Sequence, residues 1–209
     1  MDDQWARQVA DRALDLRARL GRSVAVGISG VDCAGKSTLA AAVAELLRAQ
    51  DVPVLVIAGD EFTRPTADRY RETDEGLGYY RDSFRYDELY QRILPAVRGN
   101  RSLELTVEVS DWEQDGWRDE RLALEAGAVV IAEGCFLFAH GRAAEFDLSV
   151  WIDLPLEEIV TRALQRPRDL ERMGGPEGVR QRYARRYVPG QALHLERDQP
   201  AELATLVLR

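Results

Sequence analysis

The stretch SVAVGISGVDCAGKS, residues 23–37, decides how the rest of the chain is read. Its first seven residues are a short β-branched run, which predicts a buried strand. Gly30 to Ser37 is a glycine-containing loop, and the alanine- and leucine-rich residues 36–50 predict a helix. Upstream, Trp5, Val9, Ala13 and Leu16 recur at helical spacing, and Gly21 is placed to end that helix. Downstream the alternation continues, with strands predicted at 52–58, 128–132, 148–153 and 205–208 and helices at 86–98, 119–126 and 156–165. Residues 102–109 alternate apolar and polar, the pattern of a half-exposed strand. Residues 63–83 carry Pro65, Gly76 and Gly78 and predict mostly loop with one helical turn. Short apolar strands alternating with helices imply an α/β fold with a parallel sheet covered on both faces. In such folds a ligand sits beyond the carboxyl ends of the strands.

The loop Gly30-Val31-Asp32-Cys33-Ala34-Gly35-Lys36-Ser37 satisfies G-x-x-x-x-G-K-[ST]. It lies between a predicted strand and a predicted helix, the context that this phosphate-binding motif requires. The glycines let the backbone curl so that successive N–H groups face phosphate oxygens, and the helix adds its positive N-terminal end. Lys36 then reaches the β- and γ-phosphates and the Ser37 hydroxyl helps hold Mg²⁺, with Thr38 next in the helix. Cys33 reads as a small loop residue and not as a nucleophile.

Two other strand ends carry carboxylates. Asp60 and Glu61 follow residues 52–58, and Glu133 follows the run AVVIA. A carboxylate at the tip of a buried strand beside a phosphate loop can ligate Mg²⁺ or serve as general base; the bland alternative is a helix cap or a solvated turn. Asp60 is the candidate base and Glu133 the candidate metal ligand, because an apolar run ending in one carboxylate resembles a Walker B strand. Glu61 reads as solvated or supporting. Asp32 reads equally as a contact to metal-bound water or as plain exposure. Arg162, Arg166, Arg168 and Arg172 follow the 148–153 strand and its helix, and Arg180, Arg182, Arg185 and Arg186 come next. They fit a closing lid over 166–188 that neutralises a transferring phosphoryl group, Arg162, Arg166 and Arg168 foremost. They also fit an arginine-rich solvated helix face.

Composition narrows the class. At 209 residues the chain predicts a single domain, 1–209, with residues 63–126 as a substrate-side insertion. A formal charge of −8 argues against a nucleic-acid binder or a membrane-surface protein. Two cysteines make no disulfide framework, and no apolar leader or spanning run is visible, so a cytoplasmic location is expected. Of the 28 lysines and arginines only Lys36 is a lysine. Oligomeric state is left open.

The segments VAVGISGVDCAGKST, GDEFTRP, YYRDSFRYDEL, SDWEQD, VVIAEGCFLF and DLSVWIDLP, with the arginine-rich run to RYVPG, resemble the uridine kinase-like branch of P-loop small-molecule kinases, which also holds phosphoribulokinase and bacterial pantothenate kinase. The resemblance covers nearly the whole chain. It implies a nucleoside-monophosphate-kinase type of fold, with a five-stranded parallel core in the order 2-3-1-4-5, helices on both faces and a small arginine-rich lid. It implies ATP and Mg²⁺ as cofactors and a small-molecule hydroxyl acceptor, a uridine-like nucleoside being the first expectation. Asp60 matches the family's base, Glu133 its Mg²⁺-contacting carboxylate, and Asp82 falls near its ribose-binding acid. Arg162 and Arg168 fall in its lid. Ser110 and Asp115 stand where nucleoside-specific members carry the Tyr and His that read the pyrimidine, and Arg182 aligns with a family Gln. The substrate could therefore be a sugar, a pantothenate-like compound or a vitamin alcohol, and a non-catalytic ATP-binding regulator is a further alternative. Tyr79, Tyr80, Asp111, Trp112, Arg172 and Arg182 are the other candidate pocket residues.

Overall fold

A computed structural model describes residues 3–209. The chain begins with α1 (Asp3–Leu20), β1 (Val24–Gly30), α2 (Lys36–Arg48) and β2 (Val54–Ala58). A 3-10 turn (Gly59–Phe62) leads to α3 (Thr66–Arg69) and α4 (Glu75–Asp82), then a π turn (Leu89–Ile93) runs into α5 (Leu94–Gly99). Next come β3 (Leu103–Asp111), β4 (Gly116–Leu124), β5 (Val129–Gly134), β6 (Leu148–Ile152), α6 (Leu156–Ala163), α7 (Pro167–Arg172) and α8 (Pro176–Arg182). A second π turn (Tyr183–Tyr187) continues as α9 (Val188–Asp198), followed by α10 (Pro200–Leu203) and β7 (Leu206–Leu208). No helix among the described residues is long and apolar enough to cross a membrane.

Five strands form one parallel sheet in the order β2-β5-β1-β6-β7; counted among themselves they run 2-3-1-4-5. Every residue of β1, β5 and β6 is buried, so both faces of the sheet centre are covered, which is why these strands read as unbroken apolar runs. Register then fixes the site. Ile28 of β1 and Ala58 of β2 both pair with Glu133 of β5, so the three strands end level and their loops emerge side by side.

Three expectations are corrected. Residues 119–126 are not a helix: β4 pairs antiparallel with β3, placing Leu103 opposite Leu124 and Leu105 opposite Leu122. The run RLALEA has helical propensity, but pairing with an alternating partner strand overrides it. Residues 63–83 are not mostly loop, because α4 spans eight of them behind an Asp74 cap that accepts from the Leu77 N–H at 2.9 Å. Gly76 lies within α4 against Pro189 and Gly190 of α9. A Cβ there would sit 2.6 Å from Pro189 Cβ, and one on Gly190 would sit 2.8 Å from the Tyr79 ring. These glycines let two helices approach. Finally, residues 166–198 are largely helical, and α9 was not anticipated at all.

Candidate active site

The phosphate loop leaves β1 and returns into α2 through two left-handed residues, Cys33 (φ 60°) and Gly35 (φ 95°). That turn places Lys36 and Ser37 in the first turn of α2. Lys36 is only 8% exposed and its Nζ donates to the Val31 carbonyl at 2.8 Å, tying the loop to the start of α2. Burial works against the charge on Lys36, but Cys135, Asp32 and Glu133 around it outweigh this and raise its pKa. Ser37 Oγ donates to Glu133 Oε1 at 2.8 Å. Burial raises the Glu133 pKa above the usual carboxylate range, with Lys36 and the Ser37 hydrogen bond pulling against it. A hydroxyl and a carboxylate side by side are the hard oxygen donors that suit Mg²⁺.

Two cavities adjoin here. One, of about 560 Å³, is lined by Lys36, Ser37, Thr38, Glu133 and, from α6 and the segment after it, Arg162 and Arg166. The other, of about 110 Å³, is lined among others by Tyr79, Trp112, Arg172 and Arg186. Asp32, Asp60, Arg166 and Arg168 line both. Asp60 thus stands between a phosphate-side and a second, smaller chamber. Its 3-10 turn is pinned by Thr63, whose Oγ1 donates to the Asp60 carbonyl at 2.8 Å, leaving the carboxylate exposed. The turn hugs β5: a Cβ on Gly59 would lie 2.7 Å from the Glu133 carbonyl.

The chain matches no family model. It is 30% identical to the uridine kinase of Proteus mirabilis over 145 residues, covering 68% of this chain and 67% of that one. The chain belongs to the uridine kinase-like family of P-loop kinases. Its fold superposes on a Bacillus stearothermophilus structure described as a possible uridine kinase (TM-score 0.70, 23% identity, 97% of this chain and 100% of that one). It also superposes on D-glycerate 3-kinase from Cryptococcus neoformans (TM-score 0.62, 16% identity, 88% and 86% covered). Members of the family are phosphotransferases with a hydroxyl acceptor.

The family expectations map onto the two chambers unevenly. Gly30, Val31 and Ala34 are buried and shape the loop, and Val31 serves through its carbonyl. Asp32 is neither free nor simply exposed: Tyr79 donates to its two oxygens at 2.9 and 3.1 Å and Cys135 donates at 3.1 Å. Tyr79 therefore acts on the loop as well as lining the smaller chamber. Arg166 donates to Cys33 Sγ at 3.4 Å and pairs with buried Asp169 at 3.3 Å, while Arg168 lies 3.7 Å from Asp169. Asp169, which the sequence did not single out, orients both. Arg162 is held by Glu158 at 3.0 Å on the exposed face of α6.

Four candidate pocket residues fall elsewhere. Tyr80 donates to Asp198 at 2.7 Å and, with Asp82, lines a separate cavity near His140 and Arg197. Asp82 lies 4.0 Å from Arg71. Asp111 accepts from the N–H groups of Glu113 and Gln114, turning β3 into β4. Arg182 donates to the Tyr70 hydroxyl at 3.3 Å in an outer cavity that joins the smaller chamber at Tyr70, Arg172 and Tyr187. On α4 the helical turn carries Tyr79 inward and sends Tyr80 and Asp82 to the other side, a separation that a loop reading could not foresee. Conversely, Arg69 and Tyr70 line the smaller chamber unannounced, because no local motif marks them.

Proposed function

We propose that the protein is an ATP- and Mg²⁺-dependent kinase that phosphorylates a small-metabolite hydroxyl, with Asp60 as the general base. The position of Asp60 on the wall shared by the two chambers carries this reading. ATP would lie with its phosphates on residues 30–37, and Lys36 would exchange its bond to the Val31 carbonyl for phosphate oxygens. Ser37 and Glu133 would hold Mg²⁺, which supplies charge neutralisation at the β- and γ-phosphates. Asp60 would orient the acceptor hydroxyl and take its proton as the new O–P bond forms and the γ-phosphorus bond to the bridging β-phosphate oxygen breaks, with ADP as leaving group. Arg166 and Arg168, steadied by Asp169, would face the charge on the transferring group, and the arginine-bearing residues 166–188 would close over it and exclude water.

For the acceptor, the curated relatives favour a nucleoside, while the geometry favours a non-nucleoside alcohol. Ser110 Oγ is occupied with the carbonyls of Thr63 and Glu61 at 2.6 and 2.9 Å. Asp115 accepts from the N–H and hydroxyl of Thr66 at 2.8 and 3.0 Å. Both hold the β3–β4 hairpin to the chain near Asp60, and neither lines either chamber. The test is ADP release together with phosphorus NMR of the alcohol product, over nucleosides, sugars and vitamin alcohols. Tight ATP binding with no phosphoryl ester formed from any alcohol would favour a regulatory nucleotide-binding protein instead.

A further inference from the structure

The smaller chamber is unusually cationic for a chain of net charge −8. Five arginines line it: Arg69, Arg166, Arg168, Arg172 and Arg186. Arg166 and Arg168 are paired with Asp169. The other three have no carboxylate within salt-bridge distance among the described residues.

Arg186 is the sharpest case. It is 2% exposed, and its guanidinium donates only to neutral oxygens: the Arg69 carbonyl and Ser83 hydroxyl at 3.0 Å and the Glu75 carbonyl at 3.3 Å. It also stacks 4.2 Å from the Tyr70 ring centre. A buried guanidinium without a counter-charge is unfavourable unless an anion completes the site. Arg69 adds an unfilled donor: its Nη2 donates to the Thr66 hydroxyl at 3.1 Å, but its Nε is buried with no hydrogen-bond partner. Arg172 approaches Trp112 on the opposite wall.

The charge is also segregated. Of the acids that line this chamber, Asp169 is spent on Arg166 and Arg168, Asp32 accepts from Tyr79 and Cys135, and Asp60 stands on the wall shared with the phosphate side, where the acceptor hydroxyl would lie. The chamber is small, about 110 Å³ beside the about 560 Å³ of the phosphate-side cavity. The chamber opens into the outer cavity, of about 550 Å³, where Arg182 and Arg185 lie.

We infer that the acceptor is an anionic alcohol, its hydroxyl at Asp60 and its carboxylate or phosphate held by Arg69, Arg172 and Arg186. This rests on the kinase reading above and narrows it. An arginine fork suits either group, because both present paired oxygens.

The experiment separates the two claims. With a non-hydrolysable ATP analogue and Mg²⁺ filling the donor side, tryptophan fluorescence and calorimetry follow the binding of matched alcohols. The pairs are glycerol with glycerate and with glycerol 3-phosphate, ribose with ribose 5-phosphate, and pantothenol with pantothenate. The inference expects at least one anionic member to bind tenfold or more tighter than its neutral twin. That preference should shrink with added salt and fall at least tenfold in Arg172→Gln and in Arg69→Gln. Arg19→Gln, on the exposed face of α1 beside Asp15, should leave it unchanged. Carboxylate and phosphate members distinguish the two sources of charge. Equal binding of every pair, or tighter binding of uridine than of all the anions, overturns the inference and leaves the kinase reading intact. Anion binding in the expected pattern with no phosphoryl transfer to any member would sink the kinase reading, while the anion site stood.

Discussion

The Ser37 hydroxyl donates to the Glu133 carboxylate at 2.8 Å across 96 residues of sequence. This bond joins the first turn of α2 to the tip of β5, and it brings together the two oxygens best suited to Mg²⁺. Glu133→Gln keeps the shape and removes the charge. We expect it to preserve the fold and to raise the Mg²⁺ concentration needed for half-maximal turnover at least tenfold, measured by metal titration at fixed ATP. An unchanged metal requirement would exclude Glu133 as ligand.

The same carboxyl sets a pH dependence. Burial raises the Glu133 pKa, so its charged form is disfavoured in the free protein. The sign follows: this group contributes most to stability when protonated, and its contribution declines as pH rises from the ordinary glutamate value through the raised one. Metal–nucleotide binding needs the ionised form and should weaken on acidification sooner than an ordinary glutamate would cause. Calorimetry of Mg–nucleotide binding against pH checks this, and Glu133→Gln should flatten the acid limb.

Asp60→Asn should leave ATP affinity within about twofold while turnover falls on the order of 10²–10⁴, the usual span for a positioned general base. Parallel nucleotide-binding and ADP-release measurements decide it. Full activity in this variant would remove Asp60 from the reaction.

Lys36 is the single lysine of the chain, and it sits in a slot that a compact ammonium fits, with the Val31 carbonyl as its partner. The planar guanidinium of Lys36→Arg is broader and cannot take the same point contact. Nucleotide affinity or turnover should drop at least tenfold without loss of fold, read by calorimetry beside a circular-dichroism melt.

Gly59→Ala tests the closeness of the two carboxylate-bearing strand ends. Its Cβ would meet the Glu133 carbonyl at 2.7 Å, the Tyr86 hydroxyl at 2.8 Å and Gly134 Cα at 2.9 Å, two of them backbone. Overpacking of this kind destabilises by roughly 1–3 kcal/mol. A matching fall in denaturation midpoint is expected, together with reduced turnover because Asp60 is displaced.

Much of this was legible in the chain itself. Apolar runs at 24–30, 129–132 and 148–152, short and rich in β-branched residues, predict strands buried on both faces, and a glycine loop ending in Lys36-Ser37 after such a strand predicts an anion cradle. Those are local constraints of periodicity and backbone freedom, and they determined the parallel sheet, the phosphate loop and the carboxylates at its strand tips. The sequence did not determine which side of α4 faces the smaller chamber, that 116–124 pairs as a strand, or that Arg69 and Arg186 meet there. Those depend on contacts outside the local chain, from the pairing of Leu103 with Leu124 to Arg186 with Arg69 and Ser83, more than 100 positions apart. Only tertiary packing decides whether a guanidinium ends in solvent or, as Arg186 does, enclosed without a counter-charge, because the energy of a charge depends on its surroundings and not on its neighbours in the chain.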